Sequence, residues 1–365
     1  MPARPPAHLS PPYAAAGFMP ARPWPPSRSV SDNLTLQPYA QYNTFYRDSF
    51  HGIPMTNSTP LFLMSPPRRD WALRGRANFK SRAADDVDAG AARREWSMLA
   101  DAIVDAGGDV VVMPPGQREL TGLVYTAESG EFFRDDNGAL QFLLPSMAVE
   151  HRRGEARHIE SFVGDVLEMN THTTSAIWEA QGDAIRAGDA DHIVHTWGVG
   201  PDGRTGEDAY SEVADRLSDH HIQIAFRADP WFHGNTFLQF FRGPDSAVML
   251  VCPEALCDGE FERLKEFADP VDILELSRQQ SEGYDTNALQ VRQTVIAPAD
   301  FSEPARSAAE GLGLDVRPIE LDELFSKGGG APVCLTNRLW GLRADEVPDD
   351  ALWSHQPSID DHTDH

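Results

Sequence analysis

The 365-residue chain is short of positive charge, with 31 Lys and Arg against 56 Asp and Glu and a formal net charge of −25. A surface this acidic repels a phosphate backbone instead of releasing its counterions, which excludes nucleic-acid binding and a polybasic membrane anchor. The expected partner is small or cationic. Long apolar runs are also missing: no segment approaches the ~20 residues needed to span a bilayer, and no continuous signal-type segment opens the chain, so a soluble cytoplasmic protein is expected. Cysteine is scarce. Cys252, Cys257 and Cys334 are an odd number in a long chain, which argues against a disulfide framework and for a reducing compartment. Cys252 and Cys257 lack a second ligand pair at zinc-site spacing, so packing is their expected role. No metal and no organic cofactor are expected.

What is present fits a folding chain: 41% hydrophobic and 24% charged residues. Residues 1–58 stand apart, rich in proline and holding only Asp32 and Asp48 as acids. They are expected to form an extended, largely unpacked arm. Tyr39, Tyr42, Phe45, Tyr46 and Phe50 offer rings to dock its second half on the body or on a second subunit of a homo-oligomer. Residues 346–365 read as an acidic, solvated tail. The body, 59–345, alternates strands and helices. Leu61 to Met64 reads as a buried strand, residues 91–106 as a helix with Trp96, Leu99, Ala100, Ile103 and Val104 at helical spacing, and Asp109 to Met113 as a strand. Leu123 to Tyr125 is expected to begin another. Strands at 191–196, 221–226, 236–241, 247–251, 271–276, 288–296 and 314–319 alternate with helices at 207–217, 260–267 and 302–312. Modules of roughly 50 residues suggest a repeat architecture of the α/β class.

Four segments carry chemistry. In Lys327-Gly-Gly-Gly-Ala-Pro-Val-Cys-Leu-Thr336 the glycines let backbone approach a ligand closely and take positive φ just before Cys334. A buried structural thiol is the competing reading. Asp229-Pro-Trp-Phe-His-Gly-Asn-Thr236 places His233 beside a strand, and an imidazole both activates a thiol and protonates a leaving group. Trp178-Glu-Ala-Gln-Gly-Asp-Ala-Ile185 supplies Glu179 and Asp183, two carboxylates able to orient a histidine and neutralise a cation. Leu123-Val-Tyr-Thr-Ala-Glu-Ser-Gly130 places Glu128 at a strand end.

Taken in order, these segments resemble the guanidino-group-modifying superfamily of arginine deiminases, dimethylarginine dimethylaminohydrolases, arginine dihydrolases and amidinotransferases. Met64-Ser-Pro-Pro67, Gly200-Pro-Asp-Gly-Arg-Thr205 and Asn287-Ala-Leu add to the resemblance. It implies a five-module, pseudo-fivefold α/β propeller of ββαβ units. It further implies Cys334 as nucleophile, His233 as general acid and base, and Glu179 as the acid orienting that histidine. Asp183 matches the acid ending the same motif, and Glu128 stands where relatives grip the guanidinium. Asn78 and Arg152 lie near positions that hold the substrate's amino-acid end. Asn235 replaces the aspartate of the His-x-Asp pattern, removing a charged contact, so either weaker binding of unmodified arginine or a preference for an altered guanidine is expected.

A guanidinium is a resonance-stabilised cation, so an enzyme must fix its plane, partner its N–H donors and present a thiolate. Carboxylates oppose ionisation of that thiol while substrate and histidinium favour it, so Cys334 is expected to ionise mainly once substrate is bound. The leading expectation is a cysteine-dependent hydrolase of a guanidine C–N bond acting through a covalent thiouronium. An amidinotransferase is the alternative, and a non-catalytic guanidine-binding protein the second.

Overall fold

The computed structural model describes residues 58–187, 191–268 and 271–359. The expectations for residues 1–57, the docking aromatics included, and for 360–365 lie outside the described residues. Fifteen short strands form five three-stranded sheets among the described residues. The first sheet joins β1 (Leu61–Met64), β2 (Asp109–Val112) and β15 (Asn337–Arg338); the second holds β3 (Glu131–Arg134), β4 (Leu140–Leu143) and β5 (Thr171–His172). The third holds β6 (Ala184–Arg186), β7 (His192–Val199) and β8 (His220–Arg227). The fourth holds β9 (Leu238–Arg242), β10 (Ala247–Val251) and β11 (Asp272–Glu275), and the fifth β12 (Leu289–Val291), β13 (Thr294–Pro298) and β14 (Asp315–Ile319).

Each sheet is built alike: an antiparallel pair, then a helix that crosses over to a parallel third strand. A parallel neighbour needs such a crossover. This is the expected ββαβ unit, and the molecule is a five-module α/β propeller. The first module completes itself only at the far end of the chain, where β15 pairs antiparallel with β1 at Phe62↔Arg338 and Leu63↔Asn337.

The helix of the first module shows why the local sequence folds so. Asp88 Oδ1 accepts from the backbone N–H of Gly90 and Ala91 at 2.8 and 3.0 Å, capping a helix at Ala89–Asp105. Ala92, Trp96, Leu99, Ala100 and Ile103 form its buried stripe. Covering Leu99 or Ile103 contributes roughly 1.5–3 kcal/mol each. Gly107, at φ +85°, then turns the chain into β2, which is buried along its whole length as a parallel strand should be.

Two expectations need correction. Leu123 to Tyr125 does not begin a strand: residues Thr121–Val124 and Thr126–Ser129 form two 3₁₀ turns, and the strand starts at Glu131. The Thr126 hydroxyl lies 2.8 Å from the carbonyls of both Leu63 and Leu335, fixing this segment against two other chain stretches instead of a neighbouring strand. Nor is the chain beyond 345 a solvated tail throughout. Val347, Ala351, Leu352 and Trp353 are buried, and Trp353 meets Trp96 edge to face at 5.2 Å. Among the described residues no helix is long and apolar enough to cross a membrane.

Candidate active site

The glycine-rich stretch follows a short π-helical turn, Asp322–Lys327, whose first backbone N–H groups, Glu323 and Leu324, are held by the carboxylate of Glu95 at 2.9–3.0 Å. Gly329 has φ +88°, and a Cβ there would lie 2.5 Å from the Asn78 side chain. A Cβ on Gly330 would strike the Tyr125 ring and sit 3.2 Å from Cys334 Cβ. The three glycines therefore bring backbone against Asn78 and Tyr125, a close approach that side chains would prevent.

Cys334 sits in the turn after them, 3% exposed. Its N–H donates to Asn287 Oδ1 at 3.0 Å, and its Sγ faces Asn235 Oδ1 at 3.9 Å. Asn287 Nδ2 donates in turn to the Asn235 carbonyl at 3.1 Å, which ties the cysteine turn to the histidine loop. Burial pushes the Cys334 thiol well above its ordinary range, and Glu128 adds to the push.

His233 is buried, with Nε2 2.7 Å from Glu179 Oε2. Its Nδ1 lies 3.3 Å from Glu128 Oε1, within ion-pair range but without hydrogen-bond geometry. Burial works against the imidazolium, yet Asp183, the hydrogen bond to Glu179 and Glu128 outweigh it and raise the His233 pKa. Glu179 is fully buried; its Oε1 accepts from Ala148 N–H at 2.9 Å and its own N–H donates to Thr205 Oγ1 at 3.1 Å. Burial would raise its pKa, but His233, Arg204 and Arg152 reverse that and bring it down to about 2. The pair is thus shifted toward an imidazolium–carboxylate couple, with each partner favouring the other's charged form.

Three residues expected to touch substrate do something else here. Asp183 is sealed inside: Oδ1 accepts from Thr196 Oγ1 at 2.7 Å and Gly234 N–H at 2.9 Å, and Oδ2 from Thr205 Oγ1 at 2.7 Å. With its oxygens committed to protein donors, it holds the histidine loop and is absent from the walls of the cavity that Cys334 and His233 share. Arg152 donates to Glu155 at 2.7–3.0 Å, to Glu128 at 2.8 Å and to the carbonyls of Gly122 and Tyr125. Most of its guanidinium donors are committed to protein acceptors, so it positions Glu128 from the cavity wall. Asn78 caps a short helix, Phe79–Ala83, by accepting from Ser81 N–H at 2.8 Å, and donates to the Gly328 carbonyl at 3.0 Å.

Cys334, His233, Glu128, Arg152 and Asn78 line one cavity of about 70 Å³, together with Tyr125, His151, Arg204, Phe232 and Arg74. Asn235 lines a different cavity and reaches this one only through its contact with the sulfur. Arg74 and Arg204 were not read as site residues. Arg204 lies within the Arg-Thr turn noted in the sequence; it donates to the Ala77 carbonyl at 2.9 Å, packs over the Phe232 ring at 5.3 Å and lies 4.0 Å from Glu179. Arg74 carries no motif, and only the folded cavity reveals it.

No protein-family model matches the chain. An uncharacterized Caenorhabditis elegans protein, ZK1307.1, is 26% identical over 256 residues, 69% of this chain and 85% of that protein. Among solved structures, the N-terminal domain of ArgZ, an arginine dihydrolase from the ornithine–ammonia cycle in Cyanobacteria determined with substrate bound, superposes with a TM-score of 0.67 at 18% identity, covering 77% of this chain and 98% of that one. AgrE in complex with L-arginine gives 0.65 at 20% identity, covering 79% of this chain and 41% of AgrE. A dimethylarginine dimethylaminohydrolase adduct with 4-chloro-2-hydroxymethylpyridine gives 0.56 at 18% identity, covering 77% of this chain and 100% of that one. The chain thus shares the five-module propeller fold of the arginine dihydrolase and dimethylarginine dimethylaminohydrolase structures.

Proposed function

We propose that the chain is a hydrolase of the C–N bond in a guanidine, with Cys334 as nucleophile, His233 as general acid and base, and Glu179 orienting the imidazole. The observation that carries this reading is the buried Glu179–His233 pair at 2.7 Å opening onto the same small cavity as Cys334. Glu128, on the wall between them and held by Arg152, is the carboxylate that meets the guanidinium N–H donors.

In the empty site the thiol is protonated, since burial and Glu128 both disfavour the thiolate. A bound guanidinium supplies the positive charge that reverses this, and the thiol loses its proton to solvent as the substrate enters. The thiolate adds to the central carbon, forming the S–C bond. The His233 imidazolium gives its proton to the departing nitrogen, the C–N bond breaks, and ammonia or an amine leaves with a thiouronium on Cys334. The neutral imidazole then takes a proton from water as the hydroxyl adds to that carbon. The S–C bond breaks, the added hydroxyl gives its proton to solvent, and a urea-type product departs while the sulfur returns as thiolate. One water is consumed for each C–N bond.

The cavity that Cys334 and His233 share is small, about 70 Å³. Arg74 and Arg204 on its wall suit a carboxylate at the far end of the substrate, the role once expected of Arg152 and Asn78.

Mass spectrometry of the protein quenched during turnover with a panel of guanidines tests the reading. An adduct on Cys334 that water resolves is expected, with Cys334→Ser forming neither adduct nor product. An adduct resolved only when an amine acceptor is added would establish the amidinotransferase instead, and full activity in Cys334→Ser would overturn both.

A further inference from the structure

A second cavity, of about 290 Å³, lies where residues of β6, β9, β12 and β15 converge. Its walls carry four arginines, each from a different module: Arg186, Arg242, Arg292 and Arg338. Among the described residues, no Asp or Glu is in its lining. In a chain whose net charge is −25, four guanidinium groups around one cavity run against the whole molecule's balance.

Arg186 and Arg242 have partners of their own, Arg186 with Glu131 at 3.4 Å. Arg292 donates to the main-chain carbonyls of Gly107 at 2.8 Å and Ser58 at 3.3 Å, which orient the guanidinium without cancelling its charge. Arg338 packs over the rings of Phe62 at 4.8 Å and Trp340 at 5.1 Å, and among the described residues no carboxylate lies within 4.0 Å of it. Burial, and then Arg292, pull its pKa down to about 9, which still leaves it charged at neutral pH. A second feature points the same way. Asn235 is 2% exposed and lines this cavity, and among the described residues its Nδ2 has no acceptor. A buried N–H₂ without an acceptor is disfavoured, and so is the crowding of like charges unless something answers it.

We propose that this cavity binds a small, multiply charged oxyanion, with Arg292 and Arg338 as its principal charge partners and Asn235 Nδ2 as a neutral donor. The planar fork of a guanidinium matches the paired oxygens of a phosphoryl or carboxylate group, which is the chemistry these arginines share. The volume accommodates an ion the size of pyrophosphate or citrate. The site is separate from the guanidine pocket and opposite in charge, so a cationic substrate is repelled from it. It reaches the cysteine through one side chain, because Asn235 Oδ1 faces Cys334 Sγ at 3.9 Å.

Isothermal titration of the full chain with pyrophosphate and with citrate, each against sodium chloride of matched ionic strength, tests this. Saturable binding of at least one of the two is expected; the tighter of them identifies a phosphoryl or a carboxylate ligand. Arg292→Gln and Arg338→Gln, checked for folding by circular dichroism, are each expected to weaken binding at least tenfold. If R338Q does not fold, R292Q decides. Absence of saturable binding to either anion, or unchanged affinity in R292Q, would overturn the assignment.

Discussion

At the scale of single residues, Glu179 has the clearest pH signature. Its folded pKa of about 2 lies below the ordinary 4.5, so the stability it contributes is present above about pH 4.5 and is lost as the pH falls through 2. The difference is on the order of 3 kcal/mol. His233 has the opposite sign: its raised pKa gives stability that is full below its ordinary 6.5 and is lost as the pH climbs through the folded value. Glu179→Gln keeps the shape of the side chain but removes the charge that holds the imidazolium. His233 in that variant should therefore titrate lower. Since the proposed reaction needs a protonated His233 to release the amine, the alkaline limb of the kcat profile should move toward acid and kcat at pH 7–8 should fall by one to two orders of magnitude. Rates across pH 5–9 on the substrate found in the adduct screen check this. An unmoved limb would mean that Glu179 only packs.

At the scale of elements, the glycine turn makes a sharper demand than any helix or strand. Gly330→Ala places a methyl into the Tyr125 ring and 3.2 Å from Cys334 Cβ. Overpacking of this kind costs typically about 1–3 kcal/mol, and here the yielding atoms belong to the active-site wall. The expected outcome is a folded protein with a lowered unfolding midpoint in urea and at least a hundredfold loss of adduct formation at Cys334. Both are read on one sample by urea titration and mass spectrometry. That this turn was legible beforehand follows from its chemistry, because consecutive residues without Cβ atoms announce a close approach whatever the fold around them. Asp183 was misread, and the internal partners of Arg152 were not foreseen, for the converse reason. A carboxylate or guanidinium in a motif does not reveal which protein donors or acceptors will consume it, and Thr196, Thr205, Gly234 and Glu155 do so across a dozen or more residues in most cases. Strands such as Glu131–Arg134 and Leu140–Leu143 escaped notice because each mixes polar and apolar residues over only four positions, without the unbroken apolar run that marks Leu61–Met64.

At the scale of the whole molecule, the recurring strand–helix pattern was legible because each module repeats the same physical solution, an apolar strand pair covered by one amphipathic helix. How the ring of modules is completed was not, since the partner of β1 lies more than 270 residues away and is two residues long. The chain past β15 extends that completion. Leu352 bridges to Val111, Trp353 Nε1 donates to Asp101 Oδ1 at 2.7 Å, and the Trp353 ring stands against Trp96 at the centre of the first module's helix. The Ser354 hydroxyl donates to Asp109, at the start of β2. A C-terminal stretch that reads as acidic and solvated thus fastens the helix and the central strands of the module that the chain's end completes. Trp353→Ala removes a large buried ring and its hydrogen bond to Asp101, a loss of about 3–5 kcal/mol and a fall in the thermal midpoint on the order of 10 °C. A chain ending at Asp345 should lose more, because Leu352 goes with it. Scanning calorimetry of both variants checks the order. A midpoint unchanged in Trp353→Ala would show that the segment rests on the body without securing it, and the body would then end where the sequence suggested, at residue 345.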